Sequence, residues 1–383
     1  MNGNDAFADD LAFLRTQGEV IVLSNAPGAK VAIMPALQGR VMTSTTGGGD
    51  SFGWINRPYF DEAKAGKTNP HISPFGGEDR FWLGPEGGQF SIFFKKGDPF
   101  DYEHWTTPAF LDTQPFDVVT TSGHAAAFER TAKFENHSGT PFHLRINRTI
   151  ELLPLETAMQ VLNIDLPPSV KGVALESHNG VTNLGDQWTK KGGLLSIWVL
   201  SMLNASPETT VVIPVVPGDE AKRGKRVNDD YFGAIPHNRL RTVGDTVFFK
   251  ADAKSRGKLG ISPARTKPLI GSYDAGKNVL TLCAFTFHKD VRDYVNSAWK
   301  QQSDPFSGDV INSYNDGPPP TGGPQMGNFY EIETSSAARE LGMGQTIQHS
   351  HRIIHLTGER AKLDEISKGV LGVGLDDIAK AFR

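Results

Sequence analysis

Short runs of alternating apolar and polar residues, separated by Gly, Pro, Asn and Asp, fill most of the chain, and this pattern is typical of antiparallel β-strands. The first two runs, Val20–Leu23 and Lys30–Met34, are joined by Asn25-Ala26-Pro27-Gly28, which predicts a hairpin. Further strands are predicted at 39–45, 89–95, 116–122, 126–136, 141–153, 157–165, 171–178, 193–202, 209–216, 241–250, 258–261, 269–274, 279–287, 327–333 and 345–356. The pattern therefore predicts an all-β protein with antiparallel sheets.

Helical periodicity is concentrated at the two ends of the chain. The spacing of apolar residues predicts an amphipathic helix over Asp5–Gln17 and one or two packed helices in a tail at about 361–383, with a weaker helical pattern over 291–301. No linker is long or polar enough to separate domains, since strand-like sequence resumes directly after the proline-rich run 318–324. We therefore expect a single domain over residues 1–383.

Composition narrows the classes of partner. A formal net charge of −4 over 383 residues gives no electrostatic footprint for nucleic acid or an anionic membrane. No apolar run approaches the ~20 residues of a membrane span, and the one cysteine, Cys283, excludes an internal disulfide. The N-terminus shows no export signal, so a cytoplasmic protein or a mature periplasmic form is expected. Oligomeric state has no signature in the sequence.

The first cluster of candidate functional residues lies within His71–Gly88, HISPFGGEDRFWLGPEGG. Glycine pairs at 76–77 and 87–88 predict turns, so Glu78 and Arg80 are placed where a loop enters a strand. The planar donor fork of Arg80 and the flat apolar face of Trp82 suit an uncharged polyhydroxylated ring. A surface Asp–Arg pair beside a core tryptophan is an equally open interpretation.

The second cluster is Glu176–Gly185, ESHNGVTNLG, which is interpreted as the end of a strand entering a loop. His178 could exchange a proton near neutral pH, and Asn179 could bind hydroxyl groups. The alternative is an Asx-turn that contains an incidental histidine.

The third cluster is Phe329–Ser336, FYEIETSS. Period-two alternation places Glu331 and Glu333 on one strand face, where two like charges raise each other's pKa. A carboxylate in this position could act as a general base, or the pair could hold a metal. The alternative is a solvent-facing strand edge that carries glutamates.

The fourth cluster, Gln348–His355, contains the only spacing typical of metal ligands. His349 and His351 share a strand face about 7 Å apart, which is close enough for both imidazoles to reach one ion. Further ligands would have to come from Glu78, Glu331 or Glu333. A divalent metal is therefore the one cofactor that the sequence suggests, and the competing interpretation is two histidines that donate hydrogen bonds in a sugar cleft.

Several motifs are missing from the chain. It contains no phosphate-binding glycine loop before a helix, no paired Cys-x-x-Cys and no Gly-x-Ser-x-Gly elbow. Nucleotide-dependent transfer and serine-hydrolase chemistry are therefore disfavoured.

Five segments spread over nearly the whole chain resemble the galactose mutarotase-like (aldose 1-epimerase) superfamily. They are ALQGRVMTSTTGG (36–48), GGEDRFWLGPEGG (76–88), ESHNGVTNLG (176–185), FYEIETSS (329–336) and HSHRIIHLTG (349–358). The chain is most similar to an uncharacterised bacterial branch that carries the motif GGEDRFWLGPE. The resemblance implies a twisted antiparallel β-supersandwich, with short terminal helices, whose concave face binds a carbohydrate.

The resemblance also implies site roles, because characterised mutarotases open and reclose a sugar ring with a histidine acid and a glutamate base. Carried over to this chain, His178 is the expected acid and Glu331 the expected base. Together with the clusters above, it leads us to expect an enzyme that performs acid/base chemistry, epimerisation or elimination, on a saccharide substrate. In this reading Glu331 or Glu78 moves a proton, and Arg40, Arg80, Trp82 and Asn179 orient the sugar. The alternative is a non-catalytic carbohydrate-binding protein, since related folds host several functions.

Overall fold

The computed structural model describes residues 5–25, 28–319 and 325–383, most of which form antiparallel β-sheet. The strands are β1 (Ile21–Ser24), β2 (Lys30–Met34), β3 (Arg40–Thr45), β4 (Arg80–Gly84), β5 (Asp117–Thr121), β6 (Ala125–Glu135), β7 (Pro141–Leu153), β8 (Val170–Asn183), β9 (Ser196–Asn204), β10 (Thr209–Pro214), β11 (Leu240–Val243), β12 (Thr246–Lys250), β13 (Gly257–Ile261), β14 (Leu269–Asp274), β15 (Val279–Phe285), β16 (Ile311–Asn315), β17 (Phe329–Ser335) and β18 (Thr346–Gly358).

The helices are short and lie mainly outside the sheets. They are α1 (Ala6–Gln17), α2 (Arg57–Lys64), α3 (Ala109–Asp112), α4 (Leu155–Gln160), α5 (Glu220–Arg223), α6 (Arg360–Leu371) and α7 (Leu375–Lys380). Helix α1 begins at Asp5, whose carboxylate caps the backbone N–H of Ala8. The predicted helices at the two ends of the chain are thus confirmed.

The strands form three sheets. A large sheet has the order β11-β12-β10-β14-β15-β18-β8-β7-β6-β5, a five-stranded sheet has the order β13-β16-β17-β9-β4, and β1-β2-β3 form a small N-terminal sheet. Neighbouring strands in all three sheets are antiparallel. The predicted all-β fold class is confirmed, and the arrangement matches the galactose mutarotase-like sandwich.

The main core lies between the large sheet and the five-stranded sheet. Leu175 and Val181 of β8 pack there against Val199 of β9 and Ile332 of β17. The opposite face of the large sheet carries a second apolar cluster, which α4, α6 and α7 cover. Side chains alternate along a strand, so odd-numbered and even-numbered residues of β8 or β17 point to opposite faces of the sheet.

Some local predictions were wrong. Residues 89–95 form turns instead of a strand, because Phe93 and Phe94 are both buried and so cannot alternate between core and solvent. Residues 157–165 begin inside α4, and 291–301 contain no helix. The predicted strand 241–250 is a hairpin that turns at Gly244, whose φ is 57°. Strand β16 was not predicted, and the proline-rich run 318–324 lies partly outside the described residues.

Candidate active site

The outer face of the five-stranded sheet, which points away from the large sheet, carries an unusual set of buried charges. In β17, Tyr330 and Ile332 point into the main core, so Glu331 and Glu333 point outward. The strand register places neighbouring side chains on this same face. We call this set the charged face, and its members are Arg80, Trp82, Trp198, Lys258, Asn312, Glu331 and Glu333.

The carboxyl group of Glu331 contacts the guanidinium group of Arg80 on the charged face. The Nη2 of Arg80 lies 3.1 Å from Oε1 of Glu331, and both side chains are buried. The guanidinium carbon of Arg80 lies 4.4 Å from the ring centroid of Trp82, a cation–π distance. The structure therefore brings together three residues singled out in the sequence: Arg80, Trp82 and Glu331.

Glu333 has a different set of partners. Its Oε2 accepts hydrogen bonds from Nζ of Lys258 and from Nε1 of Trp198, both at 2.9 Å. Its Oε1 is buried and has no hydrogen-bond partner in the described part of the chain. The ammonium group of Lys258 lies 4.7 Å from the Trp198 ring. One carboxylate oxygen of Glu333 is thus held by a cation and an aromatic side chain, and the other oxygen is free of such partners in the described part of the chain.

Burial dominates the proton affinities at the charged face. Burial raises the pKa of Glu331 to about 8; the nearby charge of Glu333 adds to this rise and Arg80 opposes it. Burial also raises the pKa of Glu86 to about 7, against the effect of Lys258. For Lys258, burial lowers the pKa, but the carboxylates of Glu333, Glu86 and Glu331 outweigh it, so the net shift is upward. Near neutral pH the face can therefore hold a protonated carboxyl group next to a cation.

An irregular segment closes over the charged face. Tyr231 donates a hydrogen bond to Asp309 at 2.7 Å and accepts one from Asn312 at 3.1 Å. Burial raises the pKa of Asp309 to about 6. The cavity beneath Tyr231 and beside Lys258 has a volume of about 20 Å³, which suits a water molecule but not a sugar ring. A larger ligand can enter only if the segment that carries Tyr231 moves.

Arg40 and Glu78 lie on the inner side of the loop that leads into β4. Arg40 donates to the carbonyl of Gly76 and to Oε1 of Gln38, both at 2.9 Å. Burial and then Arg80 lower the pKa of Arg40 to about 9. Oε1 of Glu78 accepts from Ser44 at 2.7 Å and lies 3.0 Å from Nε2 of His355. Arg40 supports the loop, and Glu78 faces away from Glu331.

The loop itself has the predicted turn at 76–77. Gly76 and Gly77 have φ values of 90° and 120°, which side chains rarely adopt. A Cβ at Gly76 would lie 2.1 Å from the carbonyl oxygen of Trp54, so the close approach of the two segments requires glycine.

His178 and Asn179 are adjacent in sequence but lie on opposite faces of the large sheet. His178 is exposed on the outside, where it contacts Ser350 at 2.9 Å. Asn179 points inward and accepts a hydrogen bond from Arg148 at 2.8 Å. Strand β8 continues to Asn183, so the predicted strand end at this cluster was wrong. Two sheets separate His178 from Glu331, and the structure does not bring the expected acid and base together.

His349 and His351 point into the main core between the sheets. Their ring nitrogens lie 2.7 Å and 2.8 Å from the same hydroxyl, that of Thr334, and His351 also contacts Ser201 at 2.9 Å. Burial lowers the pKa of His349 to about 3 and that of His351 to about 4. Both imidazoles are therefore neutral. Hydroxyl groups contact Nε2 of His349 and both ring nitrogens of His351, whereas Nδ1 of His349 has no partner in the described part of the chain.

The residues around the two histidines do not fit a metal site. Of the three expected additional ligands, Glu78 is bonded to His355, while Glu331 and Glu333 face the other side of β17. Within residues 5–25, 28–319 and 325–383, no group of three or more His, Cys, Asp or Glu side chains is arranged to hold an ion. We therefore derive no chemistry through a metal.

Sequence reasoning missed the cationic and aromatic partners of Glu333. Trp198 lies in a strand that is buried from Ser196 to Leu203, and Lys258 lies in a strand whose sequence neighbours carry no chemical motif. Their meeting depends on the register of four strands, which no local pattern encodes. The usable signal was the alternation that placed Glu331 and Glu333 on the same face.

Comparison with known proteins places the chain in a family. Residues 5–382 match the model of a family of unknown function, DUF6786. The chain belongs to this family. No curated protein matches the DUF6786 chain in sequence.

Solved structures share the fold of the DUF6786 chain. One is a protein of Escherichia coli K12 described as a proposed aldose 1-epimerase, with 9% identity, a TM-score of 0.51, and coverage of 89% of this chain and 99% of that one. Another is a galactose mutarotase-like protein from Lactobacillus casei ATCC 334, with 12% identity, a TM-score of 0.51, and coverage of 88% and 100%. At these identities the similarity concerns the fold alone. In the described part of the DUF6786 chain, no helix is both long and apolar enough for a membrane span.

Proposed function

We propose that the DUF6786 chain binds a saccharide at the charged face and performs acid/base chemistry on it, as an epimerase or a glycoside lyase. The observation that carries this proposal is the pair of buried carboxyl groups, Glu331 and Glu333, in different electrostatic environments between two tryptophans. An acid and a base in one site are often two carboxyl groups that are held in different environments.

In the proposed mechanism Glu331 is the acid. Its raised pKa means that it holds a proton near neutral pH and can donate it to the ring oxygen or leaving oxygen of the sugar. Arg80, which contacts the same carboxyl group, stabilises the carboxylate that remains. This differs from the expected base role of Glu331, because burial favours its protonated form.

Glu333 is the proposed base. Lys258 and Trp198 hold its Oε2, so its Oε1 is oriented to accept a proton from a hydroxyl or an acidic C–H group. Trp82 and Trp198 would stack on the apolar face of the ring. In an epimerisation, Glu333 would take the proton of one substrate hydroxyl while Glu331 protonates another oxygen of the same substrate. In an elimination, Glu333 would take a carbon-bound proton while Glu331 protonates the leaving oxygen.

Two kinds of support favour a carbohydrate as the substrate. The charged face combines stacking surfaces with donors and acceptors at short range, which suits a polyhydroxylated ring. The names of the structural neighbours, galactose mutarotase-like protein and aldose 1-epimerase, refer to carbohydrate chemistry. The acid role expected of His178 and the base role expected of Glu78 have no geometric support at this face.

The test is a screen of mono-, di- and 3-keto-saccharides for conversion, with wild-type protein beside Glu333→Gln. We expect turnover of at least one saccharide and a loss of about 10²–10⁴-fold in kcat in the variant, which is the contribution of a positioned acid or base. Glu135→Gln, at an exposed position on β6, is the matched control and should keep full activity.

The screen also separates the enzyme from a binding protein. Saturable saccharide binding without turnover, and without change in Glu333→Gln, would replace the enzyme hypothesis with a non-catalytic carbohydrate-binding protein. Neither binding nor turnover across the panel would refute both.

A further inference from the structure

A second cavity opens at one end of the main core, on the inner side of β17 and away from the charged face. Its volume is about 300 Å³, the lower end of the range for small-molecule sites. Its lining includes Phe52 and side chains of β14, β15, β17 and β18, and we call it the end pocket. Tyr330, which lines it, is the neighbour of Glu331 in sequence but points to the opposite face of β17.

Hydroxyl groups line one wall of the end pocket. The oxygens of Ser272 and Tyr330 lie 2.7 Å apart, and Oγ1 of Thr281 lies 2.8 Å from Nδ1 of His355. All four side chains are buried and line the pocket. Hydroxyls both donate and accept hydrogen bonds, so this wall complements a ligand that carries hydroxyls of its own.

A buried carboxylate joins the hydrogen bonds at this wall into one row. Glu78 Oε1 accepts from Ser44 and lies 3.0 Å from Nε2 of His355. The other ring nitrogen of His355 contacts Thr281, so the hydroxyl that faces the pocket is held in place through the imidazole. The stacking of Phe52 on His355, 4.2 Å between ring centroids, holds the imidazole in this orientation.

The charge of the end pocket selects against anions. Asp50 and Asp274 line it together with one cation, Lys277, at its exposed side. Asp274 uses Oδ1 to accept the backbone N–H groups of Gly276 and Lys277, at 3.0 Å and 3.1 Å. These bonds fix the carboxylate and leave its other oxygen for a ligand. Two carboxylates against one amine disfavour sugar phosphates and sugar acids.

The row Thr281–His355–Glu78 has the connectivity of a nucleophile, a base and an orienting acid. Thr281, however, lies inside β15, which is paired with β14 on one side and β18 on the other. Backbone N–H groups in such a strand are used by the sheet and cannot stabilise an oxyanion. The arrangement favours binding over acyl transfer.

We propose that the end pocket binds a small neutral polyol of monosaccharide size, held by Thr281, Tyr330 and Asp274 and independent of the charged face. The proposal does not depend on the saccharide chemistry proposed above, because the two sites lie on opposite faces of β17.

The test introduces one exposed thiol at the rim of the end pocket in the full-length chain. Lys277→Cys introduces an exposed cysteine, whereas the native Cys283 is fully buried and its thiol pKa is raised by burial, so labelling is selective. The rate of maleimide labelling is measured against increasing D-galactose, myo-inositol and D-glucose 6-phosphate. We expect saturable protection by at least one neutral polyol and none by the phosphate.

Second variants assign the protection to the pocket. Adding Tyr330→Phe or Thr281→Val to Lys277→Cys should raise the half-saturating polyol concentration about tenfold, the cost of one hydrogen bond. Tyr294→Phe is the matched control, since Tyr294 is equally buried and its hydroxyl has no partner in the described part of the chain. Lys191→Cys, an exposed position outside the pocket, reports any effect of polyols on labelling itself.

The failures of the two proposals are distinguishable. Absence of protection at position 277, or equal protection by D-glucose 6-phosphate, would overturn the proposal for the end pocket. Neither result would bear on the proposal for the charged face. Protection that Glu333→Gln abolishes and Tyr330→Phe does not would assign the polyol to the charged face instead. Protection that survives Glu333→Gln supports the end pocket even if no turnover is found.

Discussion

The charged face and the histidine cluster of β18 are both buried groups of titratable side chains, but they are stabilised in opposite ways. At the charged face, Glu331 and Glu333 are each matched with a cation beside a tryptophan. In the core, His349 and His351 are neutral and share the hydroxyl of Thr334. Burying charge is costly and is retained where it serves a purpose, whereas a hydroxyl-bonded neutral imidazole is ordinary core structure. The two glutamates, and not the two histidines, are therefore the candidates for function.

The largest expected effect comes from removing one charge of a buried pair. Lys258→Met should lower the free energy of unfolding by about 3–5 kcal/mol, because it leaves Glu333 buried without its cation. Urea unfolding measures the loss, and Lys254→Met, at an exposed position, is the control. The double variant Lys258→Met with Glu333→Leu should recover most of the stability. A double variant as unstable as the single one would show that packing, and not charge, sets the effect.

A smaller effect is expected in the histidine cluster. Thr334→Val keeps the shape of the side chain but removes the hydroxyl that both imidazoles contact, so we expect a loss of about 1–3 kcal/mol in the free energy of unfolding. Saccharide turnover should be unchanged, since Thr334 points into the core. Thr131→Val, at an exposed position on β6, is the control. Lost turnover in a protein that is still folded would contradict a purely structural role.

The two regions should also respond to pH with opposite signs. The pKa of Glu331 is raised in the folded state, so its contribution to stability is complete below pH ~4.5 and is lost as the pH rises toward about 8. The pKa values of His349 and His351 are lowered, so their contribution is complete above pH ~6.5 and is lost as the pH falls toward about 3 to 4.

Melting temperatures measured between about pH 4 and about pH 9 test these signs, because this range covers the titration of both ordinary carboxyl groups and ordinary imidazoles. Glu331→Gln should remove the loss on the alkaline side, and His349→Gln should remove part of the loss on the acid side. An unchanged alkaline slope in Glu331→Gln would refute the raised pKa of Glu331.

The smallest effect is expected at His178. His178→Ala removes an exposed side chain on the outside of the large sheet, so the free energy of unfolding should change by less than about 0.5 kcal/mol. Turnover, measured in the same saccharide assay, should stay within about threefold of wild type, less than the 10²–10⁴-fold that a positioned acid contributes. A loss in that larger range would restore His178 as the acid and break the assignment made from the structure.

The fold and about half of the residues of the candidate site could be predicted from the sequence. Alternation and turn residues identified most strands, and the motif at 76–88 and the alternation in β17 pointed to Arg80, Trp82, Glu331 and Glu333. Lys258 and Trp198 could not be predicted, because their position depends on which strands become neighbours. His178 and Asn179 show the cost of a boundary error, because a strand that continues to Asn183 assigns them to opposite faces.

The cover that Tyr231 and its neighbours form over the charged face has a consequence for isotope exchange. The cavity that remains beneath Tyr231 is about 20 Å³, and Glu331 and Glu333 are buried beside it, so we expect bulk water to reach their carboxyl groups slowly while the cover is closed. In the elimination route, a hydrogen that Glu333 takes from carbon would therefore be returned to the same molecule on reversal more often than it is replaced. In heavy water, substrate recovered from a partly completed elimination would carry little deuterium at that carbon.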